Sequence, residues 1–583
     1  MSLTSAIHIG RTALTSSQIG LQIAGNNVAN AATPGYSRQV GRLAPLRGAR
    51  DYPQVSIGMG VQTLAIERQV DEALVARLWS TTSDQAAADT VLNLYSQVES
   101  ILGELGDNDL SSELSAFFRS WSERANQTRS DASVIQQGEK LATFMRRIRN
   151  DLADQRAQGE RQLAGAVEAS NAMLDQIAEL NRAITDAEIS GHPANVLRDQ
   201  RDQLITELSA LLPVSVVDRG REGSDVLVGS VPVVLGGQSR GVRLERVNLD
   251  GGGTEVLVST RTDGSRLEID SGQVGALLTS RSDVIDATTD KLDTLASQLI
   301  WEVNRLHSTG TTPNGYTSMT GALRIGAADQ SRPLNDPAHA AMGGLPFRPV
   351  NGGFIVRVRQ VATGQITERR IDIDLDGLTD AGTPGTADDT SFADIVAGLD
   401  AVAGIRATVN ASGQLEVRAD DGFSFSFGDD SSGALAALGV NTFFSGAGAG
   451  DIAIVSRLRS DPGSLAAGRY ALNNNSLELV ENGTALQLAQ LQDRSLPSLG
   501  NRSVADLWRD TVQQVGASVA GARSAADAAG LVRESLEAQR QAVSGVSIDE
   551  ESISLMEFQR QYQGAAKVIS TADEMMQELI AII

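Results

Sequence analysis

Both ends of this chain carry a heptad seam, and that constrains its fold more than any other feature. Starting at Leu3, the seam residues are Ile7, Gly10, Leu14, Ser17, Leu21, Ala24, Val28 and Ala31, in steps of four and three. At the far end the same steps give Ile548, Glu551, Leu555, Phe558, Tyr562, Ala565, Ile569, Ala572, Met576, Leu579 and Ile583, with one charge among them. A helix resting on a globular core shows a wider stripe and a looser phase. The strict alternation therefore predicts coiled-coil helices at both termini. In the first seam large residues alternate with small ones, which lets a partner helix approach closely.

The two seams also differ in charge. Residues 1–50 hold Arg11, Arg38, Arg42, Arg47 and Arg50 and no acid, whereas residues 548–583 hold seven acids against two bases. Matching period and opposite charge predict that the two ends pair with each other. Isolated helices of this length, rich in Gly, Ser and Thr, are marginal in water. The ends are expected to become fully ordered only when packed against other subunits.

Between the first seam and the rest lies Asn26-Asn27-Val28-Ala29-Asn30-Ala31-Ala32-Thr33-Pro34-Gly35-Tyr36-Ser37-Arg38-Gln39. Pro34 drives Thr33 out of the helical region, and Pro-Gly suits the centre of a type II turn. Asn is a poor helix former, so three of them on one helical stretch suggest hydrogen bonds to neighbouring chains.

The middle of the chain changes period several times. Long helices are expected from about Ala86 to Leu212, including a four–three stripe through Leu163, Val167, Ser170, Leu174, Ile177, Asn181 and Ile184, where Asn181 would set register. Residues 213–271 read as short β-branched or alternating runs separated by Gly and Asp. Helix resumes through Leu278, Ile285, Leu292, Leu299 and Leu306. Gly- and Pro-rich sequence follows, then strand signals to about 455 with one short helix at 391–402, and helix again from Val504 to Val543. The expected fold is α+β and multidomain. Residues 1–36 with 546–583 form a terminal helical core, and 37–212 with 273–308 and 456–545 form a helical rod domain built from both chain ends. Residues 213–272 and 309–455 are β-rich insertions.

Composition removes several function classes. The net charge of −23 argues against phosphate-contact binding of nucleic acid and against docking on an anionic membrane. The absence of Cys excludes disulfides and thiolate chemistry, and four scattered His leave little for zinc or acid–base work. No apolar run is long enough to span a bilayer, and the N-terminus lacks a secretory h-region.

Motifs suggestive of catalysis or ion binding fail on context. Gly237-Gln238-Ser239-Arg240-Gly241 matches a nucleophile elbow, but strand-like sequence follows where a helix is required. Asp372-Ile373-Asp374-Leu375-Asp376-Gly377 copies half of a calcium loop, yet Thr383 stands where the bidentate Glu belongs. The run Gly251-Gly252-Gly253-Thr254 has no Lys and no following helix. Asp388-Asp389 and Asp429-Asp430 read as solvated loop acids, and His192 in Gly191-His192-Pro193 reads as a turn residue. No cofactor or metal is expected.

NNVANAATPGYSRQ (26–39) resembles the N-terminal signature of the flagellar axial proteins, the rod, hook and hook-associated subunits, and FQRQYQGAAKVISTADEMMQELI (558–580) resembles its C-terminal counterpart. The continuation Tyr36-Ser37-Arg38-Gln39, the ending from Ile569 to Met575, and the segments 422–446 and 451–458 are most similar to the hook-associated branch. The resemblance implies an extracellular structural subunit at the hook–filament junction, exported unfolded by a type III route and assembled by helical packing. It also implies, as partners, the hook protein, a second, filament-side hook-associated protein, further copies of the chain in a tubular array, and an export chaperone on the C-terminal region. On this reading the assembly contacts are Leu14, Leu21, Asn26, Asn27, Val28, Asn30, Thr33, Pro34, Gly35 and Tyr36, with Leu555, Phe558, Tyr562, Ile569, Met576 and Leu579. The near alternative is a hook or distal rod subunit. The alternative from a different class is a hydrolase using Ser239.

Overall fold

The structure is a computed structural model, and it describes every residue except 1–2, 47–57, 104–108, 128–129, 192, 221–222, 249–253, 380–381, 474–475 and 583. Arg47, Arg50, His192, Ile583 and the Gly251–Gly253 run lie outside the described residues. The chain forms two compact units. One comprises Met1–Leu94, Gln158–Arg281 and Ala520–Ile583, the other Tyr95–Ala157 and Ser282–Val519.

In the first unit the N-terminal helix, Leu3–Asn30, packs along the C-terminal helix, Ile548–Ile582. The pairing is antiparallel, since Gly10 faces Ile569, Gly20 faces Phe558 and Asn27 reaches Glu551. The expected pairing of the two chain ends is therefore present. A Cβ on Gly10 would lie 2.7 Å from Ile569, and one on Gly20 would lie 2.6 Å from the Phe558 ring. The missing side chains set the interhelix distance.

A β-hairpin that the sequence reading did not expect, Gln39–Pro45 with Val61–Arg68, pairs Gln39 with Arg68 and has a bulge between Arg42 and Leu43. It lies against the N-terminal helix. Gly60, at φ +107°, is needed there because a Cβ would sit 2.1 Å from the Thr12 hydroxyl.

The inserted strands of this unit form a four-stranded antiparallel sheet, Val214–Asp218, Ser224–Val228, Val231–Leu235 and Gln238–Ser239, followed by the hairpin Val242–Asn248/Thr254–Thr260. Two buried carboxamides on the long helix Asp131–Ala187 hold them. Asn171 donates to the Val242 carbonyl at 2.9 Å and accepts from its N–H at 2.7 Å. Asn181 donates to the carbonyls of Ser224 (2.7 Å) and Gly236 (2.8 Å) and accepts from the Ser224 N–H. Its partner is thus a strand, whereas the expected register-setting role called for another helix.

In the second unit, helix Leu110–Ala125 brings Phe117 and Trp121 into a cluster with Phe443, Phe444 and His307. The strands within residues 309–455 have their own core. The sheet Ile366–Ile373, Gly352–Gln360, Phe423–Gly428 packs with the strands Ile405–Val409, Leu415–Ala419 and Ser318–Thr320 and with helix Phe392–Asp400. Ser391 and Asp394 close a capping box on that helix, the one expected at 391–402. Residues 456–545, expected to be helical, also contain the hairpin Arg469–Asn473/Ser476–Val480. Its Leu472↔Leu477 and Tyr470↔Leu479 pairs give it the alternation of a strand.

His307 is fully buried on the helix Ala287–Ser308. Its Nδ1–H donates to the Asn441 carbonyl at 2.7 Å, and its Nε2 accepts from the Ala466 N–H at 3.2 Å. Both ring nitrogens are satisfied only in the neutral form, and burial holds its pKa down at about 3. Between that value and the ordinary 6.5 the unfolded chain binds a proton that the folded chain excludes, so stability falls as pH falls through this window. Going from about pH 7 to about pH 4.5 is expected to cost the native chain roughly 2 kcal/mol more than a His307→Gln variant. Urea midpoints at the two pH values check this, and equal losses in both chains would refute it.

Candidate assembly site

The Asn-rich stretch becomes a polar joint between the paired helices, the hairpin and the helix Asn195–Leu211, all within the first unit. Thr33–Tyr36 is a turn in which the Tyr36 N–H donates to the Thr33 carbonyl at 3.2 Å. Gly35 has the positive φ (+77°) required at the third position of a type II turn, and a Cβ there would also press on Gln203. The backbone leaves the helix here and returns as the first strand of the hairpin.

Asn27, 1% exposed, holds this reversal. Its Nδ2 donates to the Gln39 carbonyl at 2.9 Å and to Glu551 Oε2 at 3.2 Å. Its Oδ1 accepts from the Gln39 N–H at 3.0 Å and from the Tyr36 hydroxyl at 2.8 Å. Glu551, the one charge of the C-terminal seam, is 2% exposed and accepts from Arg38 Nε at 2.7 Å. A buried carboxylate requires such a partner. The Arg38 N–H donates to the Ser544 carbonyl at 2.9 Å and so reaches the end of the helix Val504–Ser544.

The hairpin is tied down on its other side. Arg68 donates to Asp199 and Asp202, each at 2.8 Å, and the Ser37 N–H donates to Asp199. Asn195 donates to the Ile66 carbonyl at 2.8 Å. Burial opposes the charge on Arg68, but Asp202 and Asp199 outweigh it and raise its pKa. Burial, with Asp199 and Glu551 nearby, pushes the Tyr36 hydroxyl up to about 12, so it stays a donor at neutral pH.

The expected contact residues fall into three groups. Asn27 is spent within the chain. Asn26 and Asn30 bond each other on the surface, and Thr33 donates to Asn30 at 3.3 Å. Leu14, Leu21, Val28, Gly35 and Tyr36 are half-buried, as are Leu555, Phe558, Tyr562, Ile569 and Met576, whereas Pro34 and Leu579 are exposed. The deepest line on the N-terminal helix is Gly10, Ser17, Gly20, Ala24 and Asn27. It shares Gly10, Ser17 and Ala24 with the expected seam, but the small residues turn inward and leave the leucines on the flank. The sequence reading did not pick out Asp199, Asn195, Gln203, Arg68 or Ser544 as partners of the turn. They lie too far along the chain for any local pattern to link them to it.

The rejected motifs fare as follows. Ser239 is the last residue of a two-residue strand, and the segment after it is strand Val242–Asn248. Asp374 and Asp376 come together with Asp389, their ligand atoms within 4.8 Å of one another, while Asp372 pairs with Arg370. Asp389 and Asp430 are corrections to the expected solvated loops. Asp389 is 3% exposed and accepts from Asn335 at 2.7 Å, and Asp430 accepts from the N–H groups of Ser432, Gly433 and Leu435. Loop backbone that must be satisfied draws these carboxylates inward. Among the described residues no helix is long and apolar enough to cross a membrane.

The comparisons with known proteins agree with this architecture. Residues 95–322 match the family model described as the flagellar hook-associated protein FlgK helical domain, and residues 537–582 match the C-terminal model of flagellar basal body rod FlgEFG proteins. Flagellar hook-associated protein 1 of Salmonella typhimurium is 25% identical over 605 residues, covering 100% of both chains.

Over its full length the chain is similar to flagellar hook-associated protein 1.

Another hook-associated protein 1, from Escherichia coli, is 25% identical across the full length of both chains. The hook-associated protein 1 of Bacillus subtilis is 32% identical over 222 residues, 36% of this chain and 43% of that one. The flagellar hook junction protein FlgK from Burkholderia pseudomallei shares the fold, with TM-score 0.50 and 13% identity over 80% of this chain and 100% of that one.

The close approach at Gly20 gives a direct test. Gly20→Val places a branched side chain where the Phe558 ring lies 2.6 Å from the Cβ position, and overpacking of this kind costs roughly 1–3 kcal/mol. Complemented cells are expected to lose most of their motility, whereas Gly25→Val, with nothing within 4 Å, keeps it. Equal motility in the two strains would show that the close approach does not matter.

Proposed function

We propose that this chain is a structural subunit of the bacterial flagellum that joins the hook to the filament. Its mechanism is assembly, and no reaction step is assigned to it. The observation that carries the reading is the antiparallel pairing of the two chain ends through a small-residue seam, closed by the Asn27–Glu551–Arg38 joint. Full-length similarity to proteins named flagellar hook-associated protein 1 supports it.

Half-buried Leu14, Leu21 and Val28, with Leu555, Tyr562, Ile569 and Met576, keep apolar surface that a neighbouring subunit covers. The proposed neighbours are further copies of the chain, the hook protein below and a filament-side hook-associated protein above. Asn26, Asn30, Thr33 and Pro34 remain at the surface for polar contacts. Export is by a type III route to the cell exterior, with a chaperone on the C-terminal region, where Leu531, Val532, Ile553 and Met556 are exposed in the single chain.

The match of residues 95–322 to the FlgK helical domain favours this reading over a hook or distal rod subunit. A hydrolase on Ser239 lacks the strand–turn–helix that would present the nucleophile.

Deletion of the gene is expected to leave cells with hooks, without filaments, and with filament subunit shed into the medium. Electron microscopy and a blot of the medium read all three. Loss of the hooks would move the subunit toward the rod or hook, and normal filaments would refute the proposal.

A further inference from the structure

The paired terminal helices are not symmetric about their seam. On one flank a continuous apolar groove runs along the N-terminal helix. Near its start a cavity of about 560 Å³ is lined mainly by Leu3, Ala6, Val568, Ala572 and Met575, and Lys567 and Thr571 also line it. It continues past the shared residues Gly564 and Val568 into a cavity of about 320 Å³ floored by Ile9, Gly10 and Ala13. That one shares Ser16, Leu43 and Phe558 with a third, of about 240 Å³, which ends at Ile23 and Ala24. The C-terminal helix walls all three, and Leu43 and Val61 or Thr63 of the hairpin add the opposite wall of the inner two. From Leu3 to Ala24 the groove is roughly 30 Å long at helical rise.

The other flank carries a ridge. Ile7, Leu14, Leu21 and Val28 recur every seven residues, all four are half-exposed, and none of them lines the groove. At 3.6 residues per turn the ridge lies about 50° to one side of the Gly10–Ser17–Ala24 line, and the groove floor about 80° to the other. Ridge and groove span the same length of helix, and between Ile9, Ile19 and Ile23 the groove floor is opened by Gly10, Ala13, Ser16 and Gly20, where the ridge presents large residues at heptad spacing.

We infer that the ridge of one copy of this chain seats in the groove of the next. Apolar side chains at heptad spacing entering a groove follow the helix-in-groove mode of recognition. The same chain offers the fitting occupant, because the ridge (Ile7 to Val28) and the groove (Leu3 to Ala24) each run 21 residues along it. Because the two surfaces lie on opposite flanks, the contact is heterologous. It leaves a free ridge at one end and a free groove at the other, and repetition gives a ring or an open helical array. The inference rests on the assembly role proposed above and specifies which faces meet.

The native chain has no Cys, so engineered thiols report on this contact alone. Two differently tagged full-length chains, one Leu14→Cys and one Val568→Cys, are coexpressed in cells lacking the native gene and then oxidised. The expected product is a disulfide-linked dimer carrying both tags, absent when Gln22→Cys, exposed on a third face, replaces Leu14→Cys. Should the first pair impair assembly, Leu21→Cys with Ala13→Cys is the second pair. Motile cells yielding no two-tag dimer from either pair would overturn the inference, as would a Leu14→Cys chain that dimerises with itself. Motility and filaments report separately on the assembly role.

Discussion

A carboxamide buried on a helix can pair with the N–H and C=O of one extended residue at once, and this structure depends on that interaction. Asn27 pairs in this way with Gln39, Asn171 with Val242, Asn181 with Ser224 and Asn304 with Phe444. A helix has no spare backbone groups along its length, so non-helical chain leaving or meeting it must find donors and acceptors on side chains. Asn is short enough to place both at the helix surface. Removing one would leave a buried N–H and C=O unpaired, at roughly 1–3 kcal/mol for each group. These amides therefore determine where the hairpin, the β insertion and the Phe443–Phe444 segment attach.

At the chain ends this device is combined with close approach. Gly10 and Gly20 let two helices from opposite ends of the sequence touch, and hydrophobic burial alone would tolerate some sliding of one along the other. The Asn27–Glu551 hydrogen bond and the Arg38–Glu551 ion pair tie residues more than 500 positions apart to one register. A buried polar network of this kind specifies a unique pairing, and its members are costly to separate. The outcome is a presented surface. The helices satisfy their polar groups internally and keep apolar flanks half-exposed.

What was legible beforehand follows the range of the interactions involved. Heptad steps, the Pro34-Gly35 turn, the short helix at 391–402 and the helix from Val504 each rest on contacts within a few residues or on one repeating face. All are present in the structure. The hairpin after Arg38 escaped notice because no tight turn joins its strands, Pro45 and Val61 lying 16 positions apart, and because its partner surface is the N-terminal helix. Asn181 looked like a register device because the sequence shows a helix face and not what covers it. Asp389 looked solvated because its partner Asn335 lies far along the chain, and Asp430 because a run of Asp and Ser does not show that its carboxylate turns back onto the N–H groups of Ser432, Gly433 and Leu435. The alternation of large and small residues in the first seam was legible, and Gly10, Ser17 and Ala24 are its buried members, since in close packing the smaller side faces inward.

Native-state hydrogen exchange on the full chain, comparing Asn27→Val with the native sequence, tests the account most directly. If Asn27 and Glu551 set the pairing of the two ends, protection should fall together in Leu3–Asn30, the Gln39–Pro45 strand and Ile548–Ile582, while Asn171 and Asn181 keep the β insertion protected. Loss confined to the Gln39–Pro45 strand, with the C-terminal helix as protected as in the native chain, would contradict it.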